Sequence, residues 1–124
     1  MEETWRDNVP IYRQLRDRIA AMLLDGDLAD GDALPSVREL AAENGVNPLT
    51  VMKGYQLLVD EGLVESRRGL GMFVLAGARE ALLEQRRREF VDREWPEIVA
   101  TVRRLGIDWD LLFTAAKQRE GNEK

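Results

Sequence analysis

The chain contains neither cysteine nor histidine among its 124 residues. Their absence excludes disulfides, thiolate metal sites, cysteine nucleophiles and histidine-based catalytic triads. The sequence also lacks an apolar run approaching the roughly 20 residues that a membrane span needs, and the acidic start "MEETWRDNVP" is not typical of a secretory signal. Carboxylates and lysine remain as possible catalysts, so these absences disfavour an enzyme without excluding one. We expect a cytoplasmic protein without a membrane partner and predict no catalytic residues, metal or cofactor.

The net charge of −5 argues at first against a nucleic-acid partner. Residues 36–75 are nearly balanced, with 4 basic and 5 acidic side chains. Their basic residues are Arg38, Lys53, Arg67 and Arg68. Phosphate binding would then depend on where these cations lie, since no segment is strongly basic.

Three helices are predicted in the first half of the chain. Apolar residues at helical spacing follow Pro10, which suits a first helical position, and Gly26 ends this helix. The stretch "SVRELAAENG" has a capping box of Ser36 and Glu39 and a glycine stop. In "VNPLTVMKGYQLLVDEG", Asn47 and Pro48 are typical of a helix start.

The second and third helices are joined by a short turn containing glycine, which indicates a helix-turn-helix motif over about residues 36–55. At 100° per residue, Val51, Tyr55 and Leu58 share one face of the third helix. The residues Leu49, Lys53 and Gln56 share the opposite face. A helical hairpin of some other α protein is the alternative interpretation.

The segment "LVESRRGLGMFVLAG" predicts a β-hairpin, a wing over about residues 63–75, with a five-residue connection between runs 63–66 and 72–75. A dinucleotide fingerprint would need a third glycine where Val74 stands, and no Gly-Lys-Ser/Thr follows. Gly69 permits a positive φ, and Arg67 and Arg68 could reach phosphates or a narrow minor groove. A solvated hairpin end is the alternative.

The remaining residues predict a helical tail. Its apolar residues alternate at spacings of 4 and 3, a coiled-coil-like seam made of Val91, Trp95, Ile98, Val102 and Leu105. Pro96 predicts a kink or break near Trp95, and Asp108 is expected to cap a final helix. Such a seam favours dimerisation, although it could instead pack on the rest of the chain. We interpret Arg86–Arg88 as a solvated face, with a second DNA contact as the alternative.

Four blocks, "PIYRQL", "LPSVRELA", "GVNPLTVMKGY" and "EGLVESRRGLGMFV", together resemble the winged-helix domain of GntR-type bacterial transcription regulators. The short tail with "LGIDWDLL" resembles the YtrA branch of that family. The resemblance implies a mainly α fold with a small β-hairpin. It comprises a winged helix-turn-helix domain over residues 9–77 and a helical dimerisation segment over residues 78–124.

The resemblance further implies a sequence-specific transcription regulator, a repressor, that binds a palindromic operator in double-stranded DNA as a homodimer. Residues in three places would contact the DNA: Ser36 and Arg38; Asn47, Pro48, Leu49, Thr50 and Lys53; and Arg67, Arg68 and Gly69 in the wing. Many relatives have arginine where Met52 stands, which puts one base contact in doubt. A small-molecule effector is left open because no residue identifies one. The alternative from another class is a protein-interaction module that does not bind specific DNA.

Overall fold

The computed structural model describes residues 5–122 and confirms a mainly helical chain with one small hairpin. The elements, in chain order, are α1 Ile11–Asp25, α2 Val37–Asn44, α3 Pro48–Asp60, β1 Val64–Arg67, β2 Gly71–Val74, α4 Ala78–Glu89, a π-helical turn Phe90–Glu94, α5 Trp95–Leu105 and α6 Trp109–Asn122. Within residues 5–122, none of these helices has the length and apolar character of a membrane span.

The chain divides into two compact units, the first ending at Glu84 and the second beginning at Gln85. The core of the first unit combines α1, α2, α3, the hairpin and the start of α4. Ala78 and Leu82, both on α4, are buried in this core. Its largest fully buried side chains are Leu15, Leu23, Val51, Tyr55, Leu58, Val64, Val74 and Leu82.

Helix α1 begins at Ile11, one residue later than predicted, because Pro10 is extended with φ −55° and ψ 141°. The buried Gln14 side chain holds the preceding segment against this helix. Its Oε1 accepts from the Arg6 N–H at 2.9 Å, and its Nε2 donates to the carbonyls of Arg6 and Val9 at 2.9 and 2.8 Å. The polar side chain is therefore satisfied in the core, as burial requires.

The predicted caps of the helix-turn-helix are confirmed. Ser36 Oγ accepts from the Glu39 N–H at 3.1 Å, which is one half of the expected capping box. Gly45 ends α2 in the left-handed conformation, with φ 64°. Asn47 Oδ1 accepts from the Leu49 N–H at 2.9 Å, and Pro48 follows in the first turn of α3. Side-chain oxygens thus satisfy N–H groups that lack partners within each helix.

Helix α3 lies very close to α1 at Gly54. A Cβ on Gly54 would lie only 2.9 Å from the Tyr12 carbonyl oxygen and 3.3 Å from Leu15 Cβ, so the contact needs glycine. Next to it, the Tyr55 hydroxyl donates to the Pro35 carbonyl at 2.7 Å, connecting α3 to the entry of α2. Burial raises the pKa of this hydroxyl well above its usual range, so it remains a donor to higher pH than an exposed tyrosine does.

The end of α3 is also fixed to α1 by an ion pair. The Arg16 guanidinium donates through Nε and Nη2 to both carboxylate oxygens of Glu61, at 2.9 and 2.7 Å. Burial lowers the pKa of Arg16, but bonds to Glu61 and Asp17 outweigh this and raise it above its usual value. A two-point arginine–carboxylate contact fixes orientation as well as distance.

The hairpin strands pair antiparallel from Val64 with Val74 to Arg67 with Gly71. The connection is therefore residues 68–70, three residues and not the five predicted, and each strand is displaced by one residue. The turn closes tightly because Gly69 adopts φ 76° and the Leu70 N–H donates to the Arg67 carbonyl at 2.9 Å. An isolated bridge also joins Ala33 to Phe73.

The second unit corrects the prediction of a break near Trp95, while the alternative of a kink there stays a prediction. The chain stays helical there, with φ −60° and ψ −44° at Trp95, whose N–H donates to the Phe90 carbonyl five residues back. Pro96 has no N–H to donate, and it closely follows the π-helical turn, where the hydrogen-bond pattern of the helix changes. The π-helical turn thus accommodates the proline without ending the helix.

Aromatic rings connect the helical segments of the second unit. Ring centroids lie 6.3 Å apart for Phe90 and Trp95, 5.6 Å for Trp95 and Trp109, and 6.3 Å for Trp109 and Phe113. Gly106 ends α5 with φ 64°, and Asp108 Oδ1 caps α6 by accepting from the Asp110 N–H at 2.8 Å. The predicted stop and cap are both confirmed.

Most of the predicted seam is exposed. Val102 is buried, whereas Val91, Trp95, Ile98 and Leu105 are exposed. Val91 lies in the π-helical turn, so its direction relative to the other four differs from that in a continuous α-helix. The other large exposed apolar side chains of this unit are Phe90, Ile107, Leu111 and Phe113.

We predict that Gly54→Ala lowers the free energy of unfolding by about 1–3 kcal/mol, because the added methyl overpacks the contact of α3 with α1. The measurement is urea unfolding followed by circular dichroism. Gly121→Ala is the matched control, since Gly121 is helical with nothing within 4 Å of its added Cβ. We expect the control to match the wild type or exceed it by up to about 1 kcal/mol. Equal midpoints for Gly54→Ala and the wild type would contradict the prediction.

Candidate nucleic-acid interface

The start of α3 presents polar and apolar groups together. The Asn47 oxygen is occupied by the Leu49 N–H, which leaves the Asn47 amide hydrogens as donors. Pro48 and Leu49 are exposed in the first turn, and Thr50 is half-buried. The end of the helix carries partial positive charge from its N–H groups, which favours an anionic neighbour.

One face of α3 is buried and the opposite face is open. Val51, Tyr55 and Leu58 are buried as predicted. Lys53 is exposed on the other side, and its Nζ lies 5.8 Å from the centre of the Tyr12 ring. Burial of one face in the core therefore holds Lys53 outward.

The start of α2, which packs against α3, carries Ser36 and Arg38. The Ser36 oxygen caps the helix through the Glu39 N–H, and its hydroxyl hydrogen can still donate. Arg38 is exposed, and its guanidinium forms no ion pair or hydrogen bond with residues 5–122. An exposed guanidinium without an internal partner is available to a phosphate or a base edge.

The two wing arginines differ in their surroundings. The Arg67 guanidinium lies 4.2 Å from the centre of the Phe73 ring, and its Nε donates to Glu65 Oε1 at 2.9 Å. Arg68 lies in the three-residue connection, and within the described part of the chain its guanidinium has no ion pair or hydrogen bond. Arg67 is thus held on the hairpin, while Arg68 projects freely beside Gly69.

The predicted site residues fall into three groups. The helix-turn-helix group lies at the starts of α2 and α3, and the wing group lies at the hairpin turn that follows α3. The seam residues belong to the second unit. The sequence did not predict the cluster of Glu65, Arg67 and Phe73. Glu65 and Arg67 occupy alternate positions of one strand and so lie on the same face, which could have indicated their contact.

The chain matches the model of the family described as "Bacterial regulatory proteins, gntR family" over residues 11–74, more than half of its length. The chain belongs to the GntR family. It is 31% identical over 119 residues to the HTH-type transcriptional repressor YtrA of Bacillus subtilis (strain 168). That match covers 96% of this chain and 91% of the relative. The chain is therefore a DNA-binding transcription regulator of this family, with a winged helix-turn-helix.

Solved structures agree with this assignment. A GntR family transcriptional regulator from Listeria monocytogenes is similar with a TM-score of 0.69 and 27% identity, over 92% of this chain and 98% of that chain. The DNA-binding domain of AraR in complex with operator ORX1 is similar with a TM-score of 0.56 and 27% identity, over 60% of this chain and 94% of that one. In the second structure, a domain similar to this chain is bound to an operator.

We predict that Asn47→Ala lowers the free energy of unfolding by about 1 kcal/mol, because it removes the cap of α3. Asn47→Asp is the matched variant, since its carboxylate oxygen can still accept from the Leu49 N–H while its amide donors are lost. Thermal and urea unfolding of both variants measure the effect. If Asn47→Asp were destabilised as much as Asn47→Ala, the cap would not be the stabilising contribution of this side chain.

Proposed function

We propose that this GntR-family regulator is a repressor that binds a palindromic operator in double-stranded DNA as a homodimer. Residues 9–77 form the DNA-binding domain in this proposal, and residues 78–124 form the dimerisation segment, with the first turns of its α4 helix contributing to the core of the domain. No residue identifies an effector. The names of relatives such as the YtrA repressor support repression.

One observation carries the proposal. The exposed cations Arg38, Lys53 and Arg68 occur on α2, α3 and the wing, and none forms an ion pair within residues 5–122. These three elements are consecutive parts of a winged helix-turn-helix, in which the second motif helix enters the major groove. With a net charge of −5, the chain depends on such local cations for phosphate binding.

Each predicted contact has a role in this proposal. The α3 start, from Asn47 to Lys53, lies in the major groove, while Ser36 and Arg38 contact the backbone or a base edge. Arg68 and Gly69 form the wing tip, where the absence of a Gly69 side chain permits close approach to the DNA. Arg67 contributes charge at this tip while its guanidinium stays against Phe73.

Dimerisation is proposed through the exposed apolar side chains of the second unit. Trp95, Ile98 and Leu105 are exposed there, and Leu105 has 64% of its surface accessible. Clustered exposed apolar residues typically mark an interaction surface. A second copy of the chain is the occupant that a palindromic operator requires, because two-fold protein symmetry matches two-fold DNA symmetry.

The function is tested by selecting bound sequences from random double-stranded DNA with the full chain at near-physiological salt. We expect an inverted repeat whose half-sites are centred about 34 Å, or a multiple of it, apart. The variant Arg38→Ala/Lys53→Ala/Arg68→Ala should lose this enrichment. The variant Arg103→Ala/Arg104→Ala/Lys117→Ala removes the same charge from the second unit and should retain it. No enriched sequence, together with no binding at low salt, would favour the protein-interaction module.

We predict that Leu105→Glu weakens self-association by roughly tenfold or more, because an interface would bury an unpaired carboxylate. Sedimentation equilibrium of the full chain measures the association. Ala100→Glu is the control on the same helix, exposed and about 140° around the axis from Leu105. A monomeric wild-type chain, or a Leu105→Glu chain that associates as the wild type does, would contradict the proposed dimer surface.

A further inference from the structure

Leu49 and Met52 form an exposed apolar pair on α3. Leu49 is 65% exposed and Met52 is 53% exposed. They are three residues apart on one helix, so their side chains are neighbours on its surface. Neither belongs to the hydrophobic core, which α3 contacts through Val51, Tyr55 and Leu58. Packing within this unit therefore does not account for two apolar residues here.

The surroundings of this pair are polar and cationic. Lys53 follows Met52 directly, Asn47 and Thr50 flank Leu49, and Pro48 marks the positive end of the helix. An apolar protein partner covering the pair would also have to desolvate the Lys53 ammonium and the Asn47 amide, which is costly without matching acceptors. A surface rich in acceptors with isolated apolar groups fits the pair and its surroundings better.

The major groove of DNA is such a surface. It presents base oxygens and nitrogens as acceptors beside the amino groups of adenine and cytosine, lies between phosphates, and contains one apolar group, the C5-methyl of thymine. Leu49 has no hydrogen-bonding side-chain atom, and Met52 has only a weakly accepting sulfur. Neither can pair with the amino group of cytosine or with O6 and N7 of guanine, so placing them against these bases would leave polar groups unsatisfied.

On the basis of the proposed function, we infer that Leu49 and Met52 are specificity-determining residues that contact thymine methyl groups in the major groove. Each operator half-site then contains thymine opposite this pair, selected by its methyl group. Phosphate contacts by the neighbouring cations position the helix, and those contacts carry no sequence information. Sequence preference at these positions thus comes from apolar contact, and affinity comes from charge.

The test replaces single thymines in the selected duplex by deoxyuridine, which lacks only the C5-methyl group and keeps the same base pairing. Affinity is measured by fluorescence anisotropy with the full chain. We expect a loss of about fourfold at one or two thymines per half-site, the effect of exposing one buried methyl group. Each side chain is then truncated in turn, as Leu49→Ala and Met52→Ala. At the thymine that the truncated side chain contacts, replacement by deoxyuridine should no longer weaken binding. Unfolding curves confirm that both variants fold.

Leu70→Ala is the matched control. Leu70 is 72% exposed, but it lies in the wing turn and not on α3. Its truncation should leave the deoxyuridine losses unchanged, whatever it does to overall affinity. The control separates a thymine contact of the α3 pair from a general effect of removing exposed apolar surface.

Two outcomes would overturn the inference while the proposed function stands. In the first, selection enriches an inverted repeat but no deoxyuridine substitution weakens binding. In the second, the losses persist undiminished in both Leu49→Ala and Met52→Ala, so that other groups contact the methyls. A chain that enriches no sequence and binds no DNA at low salt would overturn the proposed function together with the inference, and would indicate a protein partner for the pair.

Discussion

The close contact of α3 with α1 at Gly54 determines which face of α3 the regulator exposes. A Cβ at this position would lie 2.9 Å from the Tyr12 carbonyl oxygen, so the two helices can approach this closely only with glycine there. Arg16 and Glu61 fix the end of α3, and the Tyr55 hydroxyl fixes its side toward α2. With one face and the end restrained, the face that carries Leu49, Met52 and Lys53 is the one left to solvent. In the proposed function, the DNA-contacting face of α3 therefore depends on packing at residues outside that face.

The features that could be predicted from sequence depend on near neighbours in the chain. The Ser36 and Asn47 caps connect residues two or three positions apart, and the Gly45 and Gly106 stops depend on one residue's freedom to adopt positive φ. The buried face of α3 follows from helical spacing alone. These local signals were sufficient for the helix-turn-helix, its caps and the order of the elements.

The features that the sequence did not predict depend on contacts between residues distant in the chain, or on a choice between two helical hydrogen-bond patterns. The connection in the wing is shorter than predicted because pairing of Arg67 with Gly71 displaces both strands by one residue toward the turn, and pairing is not a local property. Phe73 attracts Arg67 across the hairpin, so two adjacent arginines that look equivalent in sequence differ in the fold. At Pro96 the expected break was wrong because the chain changes to a π-helical turn just before the proline and continues as a helix after it.

The caps of the two motif helices also leave this surface with more hydrogen-bond donors than acceptors. Ser36 and Asn47 each turn an oxygen toward an N–H of their own helix. Their hydroxyl and amide hydrogens remain for outside partners, and Arg38 and Lys53 offer hydrogens alone. In the proposed function, this donor-rich end of the molecule favours electron-rich atoms, such as phosphate oxygens, guanine O6 or thymine O4, over the amino groups of adenine or cytosine. In that proposal, the hydrogen bonds that begin the two helices also influence which base edges the interface contacts.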